Sequence, residues 1–181
     1  MKQKTLATLF FLCFVFCSSI GQGREAGWDT VGIRAGADFT DSHSGVENFQ
    51  LYEAFANYLL PGKWGGAPGL ELRTRLDGSA GALKRRDKAG FIGTVGPSLA
   101  LGMLGDRVEW DAGASVAYLS RYHFPYRNLG GPVQFVLHSG LGVYPLRNLG
   151  LAYRFEHISN SDLYGHNPGL NLHILELKYR F

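Results

Sequence analysis

The feature that most constrains this chain is an alternation of apolar and polar residues, which recurs about eight times. Its clearest example is Gly-Leu-Glu-Leu-Arg-Thr-Arg-Leu-Asp, from Gly69 to Asp77. Successive side chains of a β-strand point to opposite faces, so this order places the leucines on one face and the charges on the other. Segments of about ten residues with this period are typical of transmembrane β-strands, although a half-buried strand of a soluble sandwich has the same period.

Further segments repeat the pattern along the chain, beginning near Val31, Tyr52, Phe91, Val108 and Val133. Glycine, with 25 residues, and aromatic residues, at 13%, favour strands and turns over helices. After the first twenty or so residues, no stretch offers the ~18 consecutive apolar residues of a membrane-spanning helix. The chain is therefore expected to be all-β.

The last segment distinguishes a membrane barrel from a sandwich. Leu175, Leu177, Tyr179 and Phe181 share one face, and Phe181 is the last residue given. A terminal aromatic residue after alternating apolar residues resembles the assembly signal of bacterial outer-membrane barrels, and it implies the outer-membrane assembly machinery as a partner. We predict an eight-stranded antiparallel transmembrane β-barrel, whose narrow interior is filled by polar side chains and forms no pore.

The N-terminal segment predicts export from the cytoplasm. Lys2 and Lys4 precede an apolar run, and Ser19-Ile20-Gly21 fits a small-x-small cleavage site, as in a secretory signal peptide over residues 1–21. A lipoprotein signal anchored at Cys17 is the alternative, but Phe16 is bulky for the preceding position. Both cysteines lie in this segment, so residues 22–181 form one cysteine-free barrel domain. Its net charge of about +1, after loss of two lysines from +3, gives no reason to expect nucleic-acid binding.

The polar faces of the predicted strands carry charges of both signs, which we expect to pair inside the barrel. These inward residues are Arg34, Asp38, Glu71, Arg73, Arg75, Asp77, Glu109, Asp111, Arg154, Glu156, Glu176, Lys178 and Arg180. With both termini in the periplasm, the predicted external loops are 41–48, 78–89, 121–131 and 161–169. The predicted periplasmic turns are 61–67, 103–107 and 145–150.

One strand ends in an unexpected way. Leu151, Tyr153 and Phe155 form an apolar face that His157 and Ser159 continue at the level of the outer leaflet. Polar groups facing lipid are costly unless they have partners or a function. A strand end that simply becomes polar at the lipid headgroups would also explain the pair.

The residues around this pair are more specific. His157-Ile-Ser159-Asn160-Ser is followed by a loop with Asn167-Pro168-Gly169 and by the final strand. In this stretch, about thirty residues long, the chain resembles the lipid A 3-O-deacylase (PagL) family of eight-stranded outer-membrane esterases. The resemblance implies a bacterial outer-membrane hydrolase that removes the 3-linked acyl chain from lipid A of lipopolysaccharide in the outer leaflet.

The resemblance also implies roles for individual residues. Ser159 corresponds to the nucleophile and His157 to the general base that takes its proton. Residues i and i+2 of a strand project from the same face, as this pair requires. Asn160 matches a family residue associated with the oxyanion hole.

The third member of the triad departs from the family pattern. Well-known members carry a glutamate where this chain has Asn171, whose amide oxygen can orient an imidazole but cannot stabilise an imidazolium as a carboxylate does. Asp162 is a weaker substitute, and Glu156 is predicted to face inward. Slower turnover is therefore expected.

Two other classes of function stay open on the sequence. Asn171 favours a non-catalytic structural or adhesive barrel, and the same histidine and serine would also suit another lipid esterase such as a phospholipase. Assembly into a homo-oligomer is left open too. The histidines show no metal-ligand spacing and no nucleotide motif occurs, so no cofactor or metal is predicted. The basic run from Lys84 to Lys88 has two interpretations, a solvated loop or a contact with lipopolysaccharide phosphates.

Overall fold

The computed structural model describes residues 25–39, 48–62 and 69–181, and the predicted signal peptide of residues 1–21 lies outside them. The strands are β1 (Gly27–Ala37), β2 (Gln50–Leu59), β3 (Glu71–Arg85), β4 (Lys88–Met103), β5 (Val108–Leu119), β6 (His123–Phe124), β7 (Arg127–Asn128), β8 (Val133–Val143), β9 (Leu149–Ser159) and β10 (Leu170–Arg180).

Eight of these strands close into one antiparallel barrel. The order around the wall is β1-β10-β9-β8-β5-β4-β3-β2, and pairing of β1 with both β2 and β10 closes it. The short strands β6 and β7 form a separate hairpin. Closure leaves the described barrel wall without an unpaired edge, which a lipid bilayer requires of a spanning sheet. The predicted eight-stranded barrel is confirmed.

The outer wall is apolar, as the alternation predicted. Along β9, Leu151, Tyr153 and Phe155 are exposed, whereas Ala152 and Arg154 are buried inside the barrel. The part of the chain that the structure describes contains no helix long and apolar enough to span a membrane.

The prediction of an external loop over residues 78–89 is wrong. Strands β3 and β4 continue through it and leave only Arg86 and Asp87 between them. The small residues of this stretch suggested a loop. One of them, Gly81, is instead required within strand β3. A Cβ there would overlap the backbone carbonyl of Tyr52 on β2, so the close approach of the two strands requires glycine.

The barrel interior has two layers. In the half away from His157 and Ser159, the carboxylate of Glu109 contacts Arg73, Arg75, Lys178 and Arg180 at 2.7, 2.5, 3.3 and 2.7 Å. The predicted inward charges are buried, apart from Glu71, which is half-buried. Ion pairs thus fill this half of the interior.

The other half of the interior is mainly apolar, although Asp38, Arg85 and Gln134 are also buried there. The alternation pattern did not predict this apolar layer. It is filled by a cluster that contains Phe49, Leu51, Leu83, Ile92, Ala117, Leu119, Phe124, Leu129, Val136, Ile158, Leu170, Leu172 and Ile174. Phe124 and Leu129 come from the β6–β7 segment, which thereby covers the barrel end beside His157 and Ser159. Both layers together leave the interior filled.

Candidate active site on the outer wall

His157 and Ser159 lie on the outward face of β9, at the end of the strand. Both are half-buried, whereas the alternate residues Ile158 and Asn160 are buried. The backbone pairs His157 with Leu137 of β8 on one side and with Asn171 of β10 on the other. The predicted pair therefore opens toward lipid and not toward the interior.

Asn171 is the hydrogen-bond partner of the imidazole. Its Oδ1 lies 2.7 Å from Nδ1 of His157, and the two residues are direct cross-strand partners. Since an amide oxygen only accepts hydrogen bonds, this contact requires a proton on Nδ1, and in the neutral imidazole Nε2 then carries the free lone pair. A neutral histidine in this tautomer can act as a base through Nε2.

Ser159 follows His157 by one β-period, so the hydroxyl and the imidazole project from the same face. Its cross-strand partner on β8 is Phe135. Side chains at positions i and i+2 are close enough for a base and a nucleophile to meet after small side-chain rotations. Ser159, His157 and Asn171 thus form a contiguous row over β9 and β10.

Asn160, directly after Ser159, is fully buried and holds the loop that follows. Its Nδ2 donates to the carbonyls of Leu129 and His166 at 3.0 and 2.8 Å, so both amide hydrogens already have acceptors. Its backbone N–H donates to Oδ1 of Asn167 at 3.1 Å. Asn160 therefore ties the loop between β9 and β10 to the segment before β8.

Gly169 brings the returning chain beside the imidazole. Its φ is +62°, and a Cβ at this position would lie 3.3 Å from Cε1 and 3.9 Å from Nε2 of His157. Arg127 of the β6–β7 hairpin donates through Nη2 to the carbonyls of Gly169 and Pro168 at 2.6 and 3.3 Å. Arg127 could not be identified from the sequence, because no local pattern signals a contact between residues 42 positions apart.

The alternative carboxylates do not join the row. Glu156 is buried in the interior, where it lies 3.1 Å from Arg34. Asp162 is exposed in the turn after β9, and the described residues include no hydrogen bond from it to His157. No cluster of metal-ligating side chains occurs in the described ranges.

A second polar pair lies farther along the same outer wall. The hydroxyl of Tyr153 is 2.6 Å from Nδ1 of His173, and the imidazole packs edge-on against Phe155 with ring centroids 5.4 Å apart. Each polar group therefore satisfies the other on a surface that faces lipid.

Comparison with known proteins supports the fold and shows the family. The family described as lipid A 3-O-deacylase (PagL) matches residues 50–180. A solved structure titled "Crystal structure of the outer membrane enzyme PagL" is similar with a TM-score of 0.70 and 20% identity, over 82% of this chain and 97% of that chain. At that identity the likeness shows the fold. No curated protein matches significantly. The family match covers well over half of the chain, which therefore belongs to the lipid A 3-O-deacylase (PagL) family of outer-membrane ester hydrolases.

Proposed function

We propose that the chain hydrolyses the 3-linked acyl ester of lipid A by a serine mechanism, with Ser159 as nucleophile, His157 as general base and Asn171 as the group that orients the base. The observation that carries this proposal is the hydrogen bond between His157 and Asn171 beside Ser159. It fixes the tautomer in which Nε2 can take a proton.

The reaction follows from these roles. Nε2 of His157 removes the hydroxyl proton as Oγ of Ser159 attacks the ester carbonyl, and a tetrahedral oxyanion forms. His157 then returns the proton to the sugar oxygen, which leaves as the free 3-hydroxyl. Water, activated by the same Nε2, hydrolyses the acyl-enzyme and releases the fatty acid. Each proton that His157 accepts is passed on, so the base is regenerated.

The oxyanion requires hydrogen-bond donors close to Ser159. Asn160 is the residue that the family resemblance associates with this role, and in this chain both of its Nδ2 hydrogens have backbone acceptors. We therefore assign Asn160 an indirect part. Its backbone N–H holds Oδ1 of Asn167, and we propose Nδ2 of Asn167 as a donor to the oxyanion.

Asn171 gives this site a weaker third member than a carboxylate. The amide oxygen holds Nδ1–H in place but carries no negative charge to stabilise the imidazolium that forms during attack. We therefore expect slower turnover than at a site with a glutamate in this position.

The position on the outer wall suits a substrate that stays in the membrane. His157 and Ser159 lie beyond the apolar belt of Leu151, Tyr153 and Phe155, where an ester near the headgroups would be found. Lipid A would approach sideways within the outer leaflet, with its acyl chains along the apolar wall. No passage through the barrel is needed.

The test is the lipid product formed by purified barrel in detergent micelles. Mass spectrometry of lipid A should show loss of one 3-linked acyl chain with the unmodified protein and no loss with Ser159→Ala. Phospholipids incubated in parallel should remain intact. Deacylation by folded Ser159→Ala would refute the serine mechanism, and release of fatty acid from phospholipid alone would identify a different lipid esterase.

Assembly and oligomeric state belong to the same proposal. The outer-membrane assembly machinery is the expected partner for insertion of a barrel whose final strand ends in alternating apolar residues. Sedimentation of the detergent-solubilised barrel measures whether a single copy or a homo-oligomer forms.

A further inference from the structure

The turn between β3 and β4 carries a group of cations that the proposed reaction does not use. Lys84, Arg86 and Lys88 surround this two-residue connection, and Arg121 reaches it from the end of β5. We refer to Lys84, Arg86, Lys88 and Arg121 as the basic turn.

Three of the four side chains of the basic turn are positioned by contacts with neighbouring residues. Nε of Arg121 donates to the carbonyl of Ala89 at 3.2 Å, and the Arg86 guanidinium stacks over the ring of Tyr126 at 5.1 Å. Nζ of Lys88 lies 2.9 Å from the carboxylate of Asp87. That hydrogen bond lowers the pKa of Asp87, so one negative charge accompanies four positive charges. The basic turn is therefore a local concentration of positive charge.

The basic turn lies at the depth of the lipid headgroups. Lys84 is exposed on the outward face of β3, and its pair partners are Gln50 and Ala89. The exposed aromatic residues Tyr52, Phe91 and Tyr118 lie closer to the centre of the wall. Aromatic rings of a barrel form a girdle at the membrane interface. Cations just beyond this girdle meet the phosphates of the lipid headgroups.

The basic turn and the catalytic row lie on opposite sides of the barrel. From β10 the wall passes through β1 and β2 to reach β3, and from β9 it passes through β8 and β5 to reach β4. A lipid on the wall at β3 and β4 is thus separated from Ser159 by the whole width of the barrel. The two positions would contact different lipid molecules.

We propose that the basic turn binds the phosphate groups of a second lipopolysaccharide molecule, one that is not being hydrolysed. The inference rests on the proposed function in one respect, because that function places this end of the barrel in the outer leaflet. Lipopolysaccharide is then the phosphate-bearing lipid of that leaflet. The four cations of the basic turn, accompanied by the single carboxylate of Asp87, provide charge-assisted hydrogen bonds to phosphate oxygens. The bound lipid would anchor and orient the barrel.

The experiment counts bound lipids on a barrel that cannot hydrolyse them. Full-length mature protein with Ser159→Ala is titrated in detergent micelles with bisphosphorylated lipid A and examined by native mass spectrometry. Two binding events are expected. Adding Lys84→Gln and Lys88→Gln should raise the dissociation constant of one of them by roughly 30-fold. Each cation near a phosphate-rich surface contributes a factor of about five, and the two factors multiply.

Matched variants separate a local site from overall charge. Arg107→Gln with Arg147→Gln removes two exposed cations from the opposite end of the barrel and should leave both events unchanged. Lys84→Arg with Lys88→Arg keeps the charges and should retain binding. Equal weakening by the Arg107 and Arg147 pair, or no weakening by the Lys84 and Lys88 pair, would overturn the proposal.

The ligand is identified by competition. Lipid A without phosphates should fill only the catalytic position, and phosphatidylglycerol should displace the second lipid A poorly. Equally strong displacement by phosphatidylglycerol would overturn the assignment to lipopolysaccharide. Hydrolysis by the unmodified enzyme is measured separately, so a failed deacylase assay and a missing second lipid are distinguishable results.

Discussion

The imidazole of His157 and the amide of Asn171 are joined by a 2.7 Å hydrogen bond across the β9–β10 pair. The two side chains face lipid from directly opposite positions on neighbouring strands, and Ser159 follows on the same face. The bond orients a base that would otherwise rotate freely, and it does so with a neutral acceptor. This relationship sets the reactivity that we expect of the site.

Substituting Asn171 should change the rate in two directions. Asn171→Glu supplies a negative charge beside Nδ1 and should keep or raise kcat, whereas Asn171→Leu removes the acceptor and should lower kcat by about tenfold or more, as expected for loss of a hydrogen bond of about 1.5 kcal/mol. Asp162→Asn is the control and should be nearly silent. If Asp162→Asn is the damaging change and Asn171→Leu is silent, Asp162 is the third member. Release of fatty acid from lipid A provides the measurement.

Combining the substitutions of the nucleophile and the base should show that they act as a unit. Ser159→Ala and His157→Ala should each abolish detectable deacylation, and the double variant should be scarcely worse than either single one. If the two residues acted independently, the factors by which the single substitutions lower the rate would multiply in the double variant. Heat-modifiable migration on gels must first show that all three proteins are folded barrels, because polar changes on a lipid face also affect insertion.

Adding a methyl group at Gly169 should reduce activity through His157. In Gly169→Ala the new Cβ would lie 3.3 Å from Cε1 of the imidazole, so the ring must shift. Gly165→Ala is a matched control, since its φ of +72° imposes a similar backbone cost of about 1 kcal/mol but no atom lies within 4 Å of the new Cβ. We expect similar losses of stability and a loss of kcat at Gly169 alone. Equal activity of the two variants would contradict the proposed contact.

Removing the charge of Glu109 should destabilise the barrel without disabling the site. Glu109→Gln leaves Arg73, Arg75, Lys178 and Arg180 without their shared carboxylate, and loss of one partner from a buried ion pair costs about 3–5 kcal/mol. Urea unfolding followed by tryptophan fluorescence measures the free energy of unfolding. Glu25→Gln, at an exposed position before β1, should leave that free energy unchanged.

Activity per folded molecule distinguishes this structural role from a catalytic one. The Glu109 carboxylate is inside the barrel, and the catalytic row is on its outer face at the other end. Folded Glu109→Gln should therefore deacylate lipid A at the rate of the unmodified protein. A large fall in kcat of the folded fraction would show that the interior network also shapes the site.

The sequence alone was sufficient for the barrel and for most of its inside and outside assignments. An alternation of apolar and polar residues with a period of two assigns the two faces of a strand, because successive side chains point to opposite sides of the sheet. Arg154 and Glu156 were assigned inward, and Leu151 and Tyr153 outward, by that rule alone. The rule failed at residues 78–89, because glycine, alanine and serine differ too little in hydrophobicity to show which face of a strand is apolar. The requirement for glycine at Gly81 comes from the close approach of β2, which the local sequence does not show.

The tertiary structure decided which residues from distant parts of the chain come together. The register of the β9–β10 pair places Asn171 opposite His157. The alternation of the sequence predicted only that Asn171 lies on the same face of the sheet as His157. Arg127 reaches Gly169 through the fold of the β6–β7 hairpin, and the hydrogen bonds of Asn160 depend on Leu129 lying beneath it. Alternation is a local property that each strand expresses by itself. Contacts between loops depend on closure of the whole barrel, which no local pattern encodes.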